Sequence, residues 1–164
     1  MFRKQSLHES HEDLLRRAIA VARQAREHGN HPFGAVLADS DGRALLSAQN
    51  NVVTGSYATG HAETNLVRPA TAAYSTHELR SLSLYTSTEP CAMCAGAIYW
   101  SGIGTVVDAL AETALYEITG DDEQSPTLVL PCRTVFAPGP RPIIVHGPFE
   151  SDEAREVHAG FWHS

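Results

Sequence analysis

Two short segments of the sequence carry the side chains that most restrict its fold. The first is His61-Ala62-Glu63, and the second, after 26 intervening residues, is Pro90-Cys91-Ala92-Met93-Cys94. Cysteine and histidine are common zinc ligands, and two cysteines three positions apart at a helix start can bind one ion together. We therefore expect a fold in which His61 meets Cys91 and Cys94.

The predicted metal site has an open position and a neighbouring acid. Three protein ligands leave the fourth tetrahedral position to water, as in catalytic rather than structural zinc sites. Two thiolates and an imidazole cancel the charge of the ion, so the bound water is less acidified and benefits from a nearby general base. Glu63 is suited to this role. Residues i and i+2 do not share a helix face, so His61 must lie at the helix terminus. A Cys-x-x-Cys pair alone would also fit a redox pair or half of a structural zinc site, and Glu63 could simply stabilise a helix start.

The apolar pattern predicts helices alternating with strands. Helices are expected over 10–29 with Ser10 as the N-cap, and over 61–73, 90–100, 111–118 and 151–158. Strands are expected over 35–38, 43–48, 82–85, 103–107 and 143–146, with an acidic loop over 120–126 and an irregular segment over 131–142. This order predicts an α/β fold, a three-layer α/β/α sandwich around a central mixed five-stranded sheet. The 164 residues fit a single domain, in which 110–164 would form a substrate-selecting part.

Composition excludes several classes of function. The net charge of −7, with 12 basic and 19 acidic residues, has the wrong sign for a protein held on nucleic acid by electrostatics. The longest apolar run, over 91–100, is about half of the roughly 20 residues that span a membrane. The first residues lack the apolar core of a secretory signal, so we expect a cytoplasmic location. Three cysteines in such a chain favour metal or redox chemistry over a disulfide.

The chain resembles the cytidine-deaminase-like superfamily, in the branch that contains guanine deaminase, cytosine deaminase and the tRNA adenosine deaminases. Its His-x-Glu and Pro-Cys-x-x-Cys segments are the signature of zinc nucleobase deaminases, in which the glutamate is the proton shuttle and not a ligand. The resemblance spans about 14–107 and is carried by Pro32-Phe33-Gly34-Ala35-Val36, Asn50-Asn51, His61-Ala62-Glu63, the segment Leu84-Tyr85-Thr86-Ser87-Thr88-Glu89-Pro90-Cys91-Ala92-Met93-Cys94, and Gly96-Ala97-Ile98-Tyr99-Trp100.

The resemblance also implies substrate contacts. Asn50, eleven residues before His61, resembles the base-binding asparagine of the family, and the Ala62 N–H resembles a donor to a ring carbonyl or nitrogen. Phe33 resembles the aromatic residue that packs on the base. Alternatively, Asn50 could cap a strand end and Phe33 could belong to the core. Trp162 is a candidate substrate contact or a tail residue docked on an apolar surface.

Two positions depart from the family pattern. Tyr57-Ala58-Thr59-Gly60 stands where relatives usually have Asp-Pro-Thr-Ala, and Ala114 stands about where guanine deaminases place an aspartate. An acid that reads guanine must then come from the C-terminal third, where the candidates are Glu112, Glu117, Glu150, Asp152 and Glu153.

The resemblance implies a zinc-dependent hydrolytic deaminase of a free nucleobase or related amino-heterocycle, with guanine (guanine and water to xanthine and ammonia) as the leading candidate. It implies one Zn²⁺ per chain, a small heterocyclic substrate, and a homodimer or higher homo-oligomer. Neither nucleic acid nor a membrane is expected as a partner. The alternatives are a tRNA-editing adenosine deaminase, a cytosine or nucleoside deaminase, and a structural-zinc module without turnover.

Overall fold

The computed structural model describes residues 2–120 and 126–162, with side chains from residue 11 onward. Within these residues one sheet has five strands in the order β2-β1-β3-β4-β5. The strands are β1 (Gly34–Ala38), β2 (Ala44–Gln49), β3 (Ser83–Thr88), β4 (Thr105–Leu110) and β5 (Ile144–His146). β1 is antiparallel to both β2 and β3, whereas β3, β4 and β5 are parallel. The predicted mixed five-stranded sheet is therefore confirmed.

Helices cover both faces of the sheet. They are α1 (Phe2–Glu27), α2 (Val52–Gly55), α3 (Ala62–Ala73), α4 (Thr76–Leu79), α5 (Ala92–Ser101), α6 (Glu112–Thr119), α7 (Cys132–Phe136) and α8 (Asp152–Glu156). In the part of the chain that the structure describes, no helix combines the length and the apolar character needed to cross a membrane.

The core lies in two layers because successive strand residues point to opposite faces. Val36 and Ala38 pack in a cluster that includes residues of α1, α6 and α8. Ala35 and Leu37 pack in a second cluster, built with residues of α3, α5 and α7. All five residues of β1 are buried as a result. The three-layer α/β/α sandwich is thus confirmed.

Several predicted boundaries are wrong. α1 continues through Ser10, so Ser10 is not the N-cap that was expected. Within this helix the Glu12 carboxylate pairs with Arg16 one turn later, at 2.7 Å. Cys91 is the N-cap of α5, so Pro90 precedes that helix rather than opening it. The segment over 131–142 is not wholly irregular, because it contains α7. The acidic residues of the predicted loop over 120–126, Asp121, Asp122 and Glu123, lie outside the described residues.

The sheet brings the chemically active segments to one end. β3 finishes at Thr88, and the chain passes through Glu89 and Pro90 directly into α5. α3, which begins just after His61, packs beside α5 on the same face of the sheet. In open α/β sheets, ligands bind in the crevice beyond the carboxyl ends of the parallel strands. The two segments that carry the predicted metal ligands therefore meet where such folds bind ligands.

Candidate active site

The three predicted metal ligands lie at the starts of two helices. His61 is the N-cap of α3 and Cys91 the N-cap of α5, both with extended backbone, and Cys94 lies in the first turn of α5. The position of His61 as N-cap agrees with the expectation that it lies at the helix terminus. The positive ends of both helix dipoles therefore face the same point and favour thiolate charge there.

The distances between the donor atoms fit zinc. His61 Nδ1 lies 3.5 Å from the sulfur of Cys91 and 3.5 Å from the sulfur of Cys94. A tetrahedral ion with Zn–S bonds of about 2.3 Å and Zn–N bonds of about 2.1 Å separates sulfur from nitrogen by about 3.6 Å. All three donor atoms lie within 4.8 Å of one another. The histidine and two cysteines are thus positioned to bind Zn²⁺ with one coordination position left over.

The two cysteines differ in their acidity. Hydrogen bonds from the Cys94 thiol and from His61 lower the pKa of Cys91 to about 4, although burial opposes this shift. The same contact raises the pKa of Cys94, and burial raises it further. Bonding to Cys91 raises the pKa of His61. The cluster thus already stabilises one thiolate, the form of cysteine that binds metal.

Glu63 borders the metal ligands without being one of them. Its side chain is only 5% exposed, and its Oε2 accepts a hydrogen bond from Cys94 Sγ at 3.4 Å. Its Oε1 accepts a hydrogen bond from Thr86 Oγ1 at 2.7 Å. Burial raises the pKa of the Glu63 carboxyl, and the Thr86 bond opposes that shift. A buried carboxyl group beside a metal site has the chemistry of a general acid and base.

Side-chain amides fix the turn that carries His61. Asn65 Nδ2 donates to Asn51 Oδ1 at 2.8 Å and to the Gly60 carbonyl at 3.3 Å. The Asn51 backbone N–H donates to the same carbonyl at 2.8 Å, and its side chain donates to the Tyr57 hydroxyl at 3.0 Å. These hydrogen bonds close the turn over Tyr57–Gly60, the segment whose sequence differs from the family pattern. Asn65 belongs to no motif of the sequence, and its role follows from the structure alone.

Asn50, Phe33 and Ala62 lie together around the turn and the strand ends. Asn50 is buried, its N–H donates to the Phe33 carbonyl at 3.0 Å, and its Oδ1 accepts from Val52 N at 3.0 Å. Among the described residues the Asn50 side-chain NH₂ group has no hydrogen-bond partner, so it can serve a ligand. Ala62 is the first residue of α3, where a backbone N–H has no acceptor within its helix.

The C-terminal aromatic residues dock against Phe33. Trp162 Nε1 donates to His158 Nδ1 at 3.2 Å, and the Trp162 ring lies 5.9 Å from the Phe33 ring and 5.3 Å from the His31 ring. Burial lowers the pKa of His31, and the charge of His61 lowers it further. The structure therefore places Trp162 in an aromatic cluster with Phe33 and His31, and His31 lies close enough to His61 for the charge of His61 to lower its pKa. At this position Trp162 can both dock the C-terminal residues on the apolar surface and contact a substrate.

The five candidate acids occupy different environments. Glu112 is buried, whereas the other four are exposed: Glu117, Glu150, Asp152 and Glu153. Burial raises the pKa of Glu112 to about 7, although its Oε2 accepts a hydrogen bond from Leu130 N at 3.1 Å. The charges of Glu89 and Cys91 raise that pKa further. Ala114 packs in the core layer beneath α1. Glu112 is thus the candidate acid that lies near a metal ligand.

Comparison with known proteins agrees with this site. The family model described as the cytidine and deoxycytidylate deaminase zinc-binding region matches residues 8–110. The chain is 43% identical over 155 residues to a probable cytosine deaminase of Schizosaccharomyces pombe, which covers 93% of this chain and 94% of the relative. It is 40% identical over 114 residues to a guanine deaminase of Bacillus subtilis, covering 69% and 72%. A solved guanine deaminase from Nitrosomonas europaea superposes with a TM-score of 0.71 at 27% identity, covering 89% and 83%.

Proposed function

The chain belongs to the cytidine and deoxycytidylate deaminase zinc-binding family, and on this premise we propose that it deaminates a free nucleobase, with guanine as the substrate. Members of this family are hydrolases that act on carbon–nitrogen bonds, and this chain has their zinc-binding domain. One observation carries the proposal: buried Glu63 lies beside the convergent donor atoms of His61, Cys91 and Cys94. A structural zinc site would not need such a carboxyl group.

The residues around the metal divide the work of the reaction. When bound, zinc polarises a water molecule and so supplies the nucleophile that attacks the amino-bearing ring carbon. Glu63 would accept one proton from that water and pass it to the ring nitrogen. It would then accept the second proton, from the hydroxyl group now bonded to the ring carbon, and pass it to the leaving amine. Burial, which raises the pKa of Glu63, suits a group that must both take and give protons near neutral pH.

The substrate is held by the groups around the turn. The Asn50 side-chain NH₂ and the Ala62 N–H donate to acceptors on the edge of the ring. Phe33 and Trp162 lie against its face, since aromatic rings favour such packing. Two contacts support this arrangement: the hydrogen bond from the Asn50 N–H to the Phe33 carbonyl, and the ring contact of Phe33 with Trp162.

Guanine is favoured by the similarity to guanine deaminases of two organisms. Water would attack guanine at C2 and release ammonia, leaving xanthine. The N1–H and amino group of guanine are donors and require an acceptor in the pocket, for which buried Glu112 is the candidate.

Cytosine is the second candidate, and one observation favours it. The similarity to the probable cytosine deaminase of Schizosaccharomyces pombe extends over 93% of this chain. It therefore includes most of the C-terminal third, where we expect substrate choice to be set. Attack would then fall on C4 of the pyrimidine.

The other expectations from the sequence accompany this proposal. We propose a single domain, a cytoplasmic location and a homo-oligomer, with neither nucleic acid nor a membrane as a partner. Trp100 on α5 is 84% exposed, and an exposed tryptophan is typical of protein–protein contacts. Light scattering measures the mass of the wild-type protein and of Trp100→Glu in solution. We expect an oligomer for the wild type and a smaller species for the variant, and a monomeric wild-type protein would contradict the proposal.

A panel assay of ammonia release decides between the substrates. Zinc-loaded protein is incubated with guanine, cytosine and adenine, with their nucleosides, and with aminated pterins and triazines, using Glu63→Ala as the control. We expect the highest kcat/KM with guanine. A preference for cytosine would replace guanine by the second candidate. Release from none of them, by protein that holds one zinc per chain, would contradict a deaminase of this class.

A further inference from the structure

We propose that Thr86 is a positioning residue that sets the orientation of the Glu63 carboxylate. The inference rests on the proposed function, because it concerns the group that moves protons there. Thr86 is 1% exposed, and its Oγ1 lies 2.7 Å from Glu63 Oε1 and 2.7 Å from the Thr88 carbonyl oxygen. Helix α3, which carries Glu63, is thus linked by a side-chain bond to strand β3.

The carboxylate needs such a partner because its last torsion is otherwise weakly restricted. The terminal torsion of a glutamate has broad energy wells. The N–H of Glu63 itself bonds the carboxylate, and two contacts from other side chains restrict the two oxygens further. Thr86 bonds Oε1, and the Cys94 thiol bonds Oε2 at 3.4 Å.

Only one of these two contacts can persist when the metal is bound. Metal-bound cysteine is a thiolate and has no hydrogen to donate, so the bond from Cys94 to Glu63 is lost. Among the described residues, Thr86 is then the remaining side chain that donates to Glu63. Since a hydroxyl group can both donate and accept, the contact also survives when Glu63 carries a proton.

Thr86 is held rigidly enough for this role. It lies in a central strand, paired with Ala35 of β1 on one side and with Asp108 of β4 on the other. Threonine is branched at Cβ, which restricts its first side-chain torsion. The Thr86 hydroxyl has one hydrogen, so it donates to the Glu63 carboxylate when Glu63 is ionised; when Glu63 carries a proton and donates it, the Thr86 hydrogen can go to the Thr88 carbonyl oxygen instead.

A purely structural role for Thr86 makes different predictions, so substitutions can separate the two. Thr86→Val keeps the shape and removes the hydroxyl group, whereas Thr86→Ser keeps the hydroxyl group. Thr88→Val is the matched control, because the Thr88 hydroxyl is buried on the same strand without a partner among the described residues. Thr86→Ala replaces the valine variant if that protein does not fold.

If Thr86 positions Glu63, removing its hydroxyl group should lower kcat, and a serine, which keeps the hydroxyl group, should restore it. With zinc content equal in all variants, Thr86→Val should lower kcat at least about tenfold and leave KM within about twofold. Thr86→Ser and Thr88→Val should stay within about threefold of the wild type. In a Glu63→Gln background, Thr86→Val should cause no further loss. A serine variant as slow as the valine variant, or an equal loss in the Glu63→Gln background, would overturn the inference.

Crystal structures give a readout that does not depend on turnover. In zinc-loaded Thr86→Val we expect the Glu63 carboxylate to have rotated from its wild-type direction, and in Thr86→Ser to have kept it. An unrotated carboxylate in the valine variant overturns the role of Thr86 whatever the substrate. If the wild-type protein deaminates none of the panel, the proposed function fails, and this measurement still decides the inference.

Discussion

Glu63 Oε2 lies 3.4 Å from Cys94 Sγ, although 31 positions separate the two residues along the chain. The contact exists because α3 and α5 pack side by side with their N-termini at the same end of the sheet. It places a carboxyl group within hydrogen-bond distance of a metal ligand while the metal retains a position for water. The division between ligands and proton carrier follows from this arrangement.

Replacing Glu63 should abolish turnover without releasing the metal. A positioned acid–base group contributes typically about 10² to 10⁴-fold, and here it serves several proton transfers, so Glu63→Ala and Glu63→Gln should lose nearly all activity. Zinc content, measured by elemental analysis, should stay at one per chain because Glu63 is not a ligand. More than about a tenth of the wild-type kcat in either variant would assign the shuttle to another residue.

Removing the cysteine ligands should release zinc and weaken the fold. Purified protein should hold about one zinc per chain, and the Cys91→Ala, Cys94→Ala double variant should hold almost none. Its melting temperature should fall, because the free energy of metal binding adds to the free energy of folding. Cys132→Ser is the control for zinc content, since Cys132 is not among the residues whose donor atoms converge. Full zinc content in the double variant would contradict the ligand assignment.

Local signals in the sequence predicted those elements that depend on local chemistry. Gly42 has a positive φ in the turn that joins β1 to β2, where the sequence predicted a hairpin. Ser151 accepts a hydrogen bond from Ala154 N at the start of α8, as expected of an N-cap. The helix over 61–73 also formed, and Pro69 lies inside it without ending it.

Tertiary contacts account for what the sequence did not predict. A five-residue helix such as α7 is not stable alone, and the prolines around it favour irregular backbone. The structure supplies a partner, since the Glu89 carboxylate accepts hydrogen bonds from Cys132 N and from Glu112 N, both at 3.0 Å. The contact of Glu63 with Thr86 likewise depends on how α3 packs on β3, which no local pattern encodes.

Asp108 should make the stability of the protein depend on pH. It is 1% exposed, and neither carboxylate oxygen has a hydrogen-bond partner among the described residues. Burial, together with the charge of Glu89, raises its pKa to about 7 against an opposing effect of Arg133. The native state therefore keeps a proton that the unfolded chain loses near pH 4. The contribution of Asp108 to stability is present below about pH 4 and is lost as the pH rises to about 7.

The variant Asp108→Asn tests this pH dependence. It lacks the ionising group, so its stability relative to the wild type should increase by about 2 kcal/mol between pH 5.5 and pH 8. Denaturant unfolding of the zinc-loaded proteins at the two pH values measures the change. Asp152→Asn, which alters an exposed acid, should show no such increase. An equal difference between Asp108→Asn and the wild type at both pH values would contradict a raised pKa.

Transfer RNA should not bind usefully at physiological salt. The chain has a net charge of −7, so too few phosphate groups can be neutralised to hold a polyanion. Fluorescence titration with labelled tRNA at several salt concentrations measures this, with a tRNA-specific adenosine deaminase as the positive control. Micromolar affinity with a steep salt dependence would instead favour the editing alternative.

Glu112 should contribute to the choice of guanine. A pocket that binds the N1–H and amino group of guanine needs an acceptor, and leaving a buried partner unpaired is costly. Glu112→Gln keeps an oxygen that can accept from Leu130 N, the bond that Glu112 makes in the wild type. It should nevertheless lower kcat/KM for guanine at least about tenfold, equivalent to roughly 1.4 kcal/mol, with zinc content unchanged.

The control for Glu112 is Glu117→Gln, which alters an exposed acid on the same helix and should leave kcat/KM unchanged. If guanine is a good substrate and neither Glu112 nor the four exposed acids affects it, backbone oxygens or a second chain must bind the donor edge. If guanine is inert, the choice of guanine is wrong and the broader deaminase assignment stands, because the groups that bind the metal and move protons do not depend on which ring lies against Phe33.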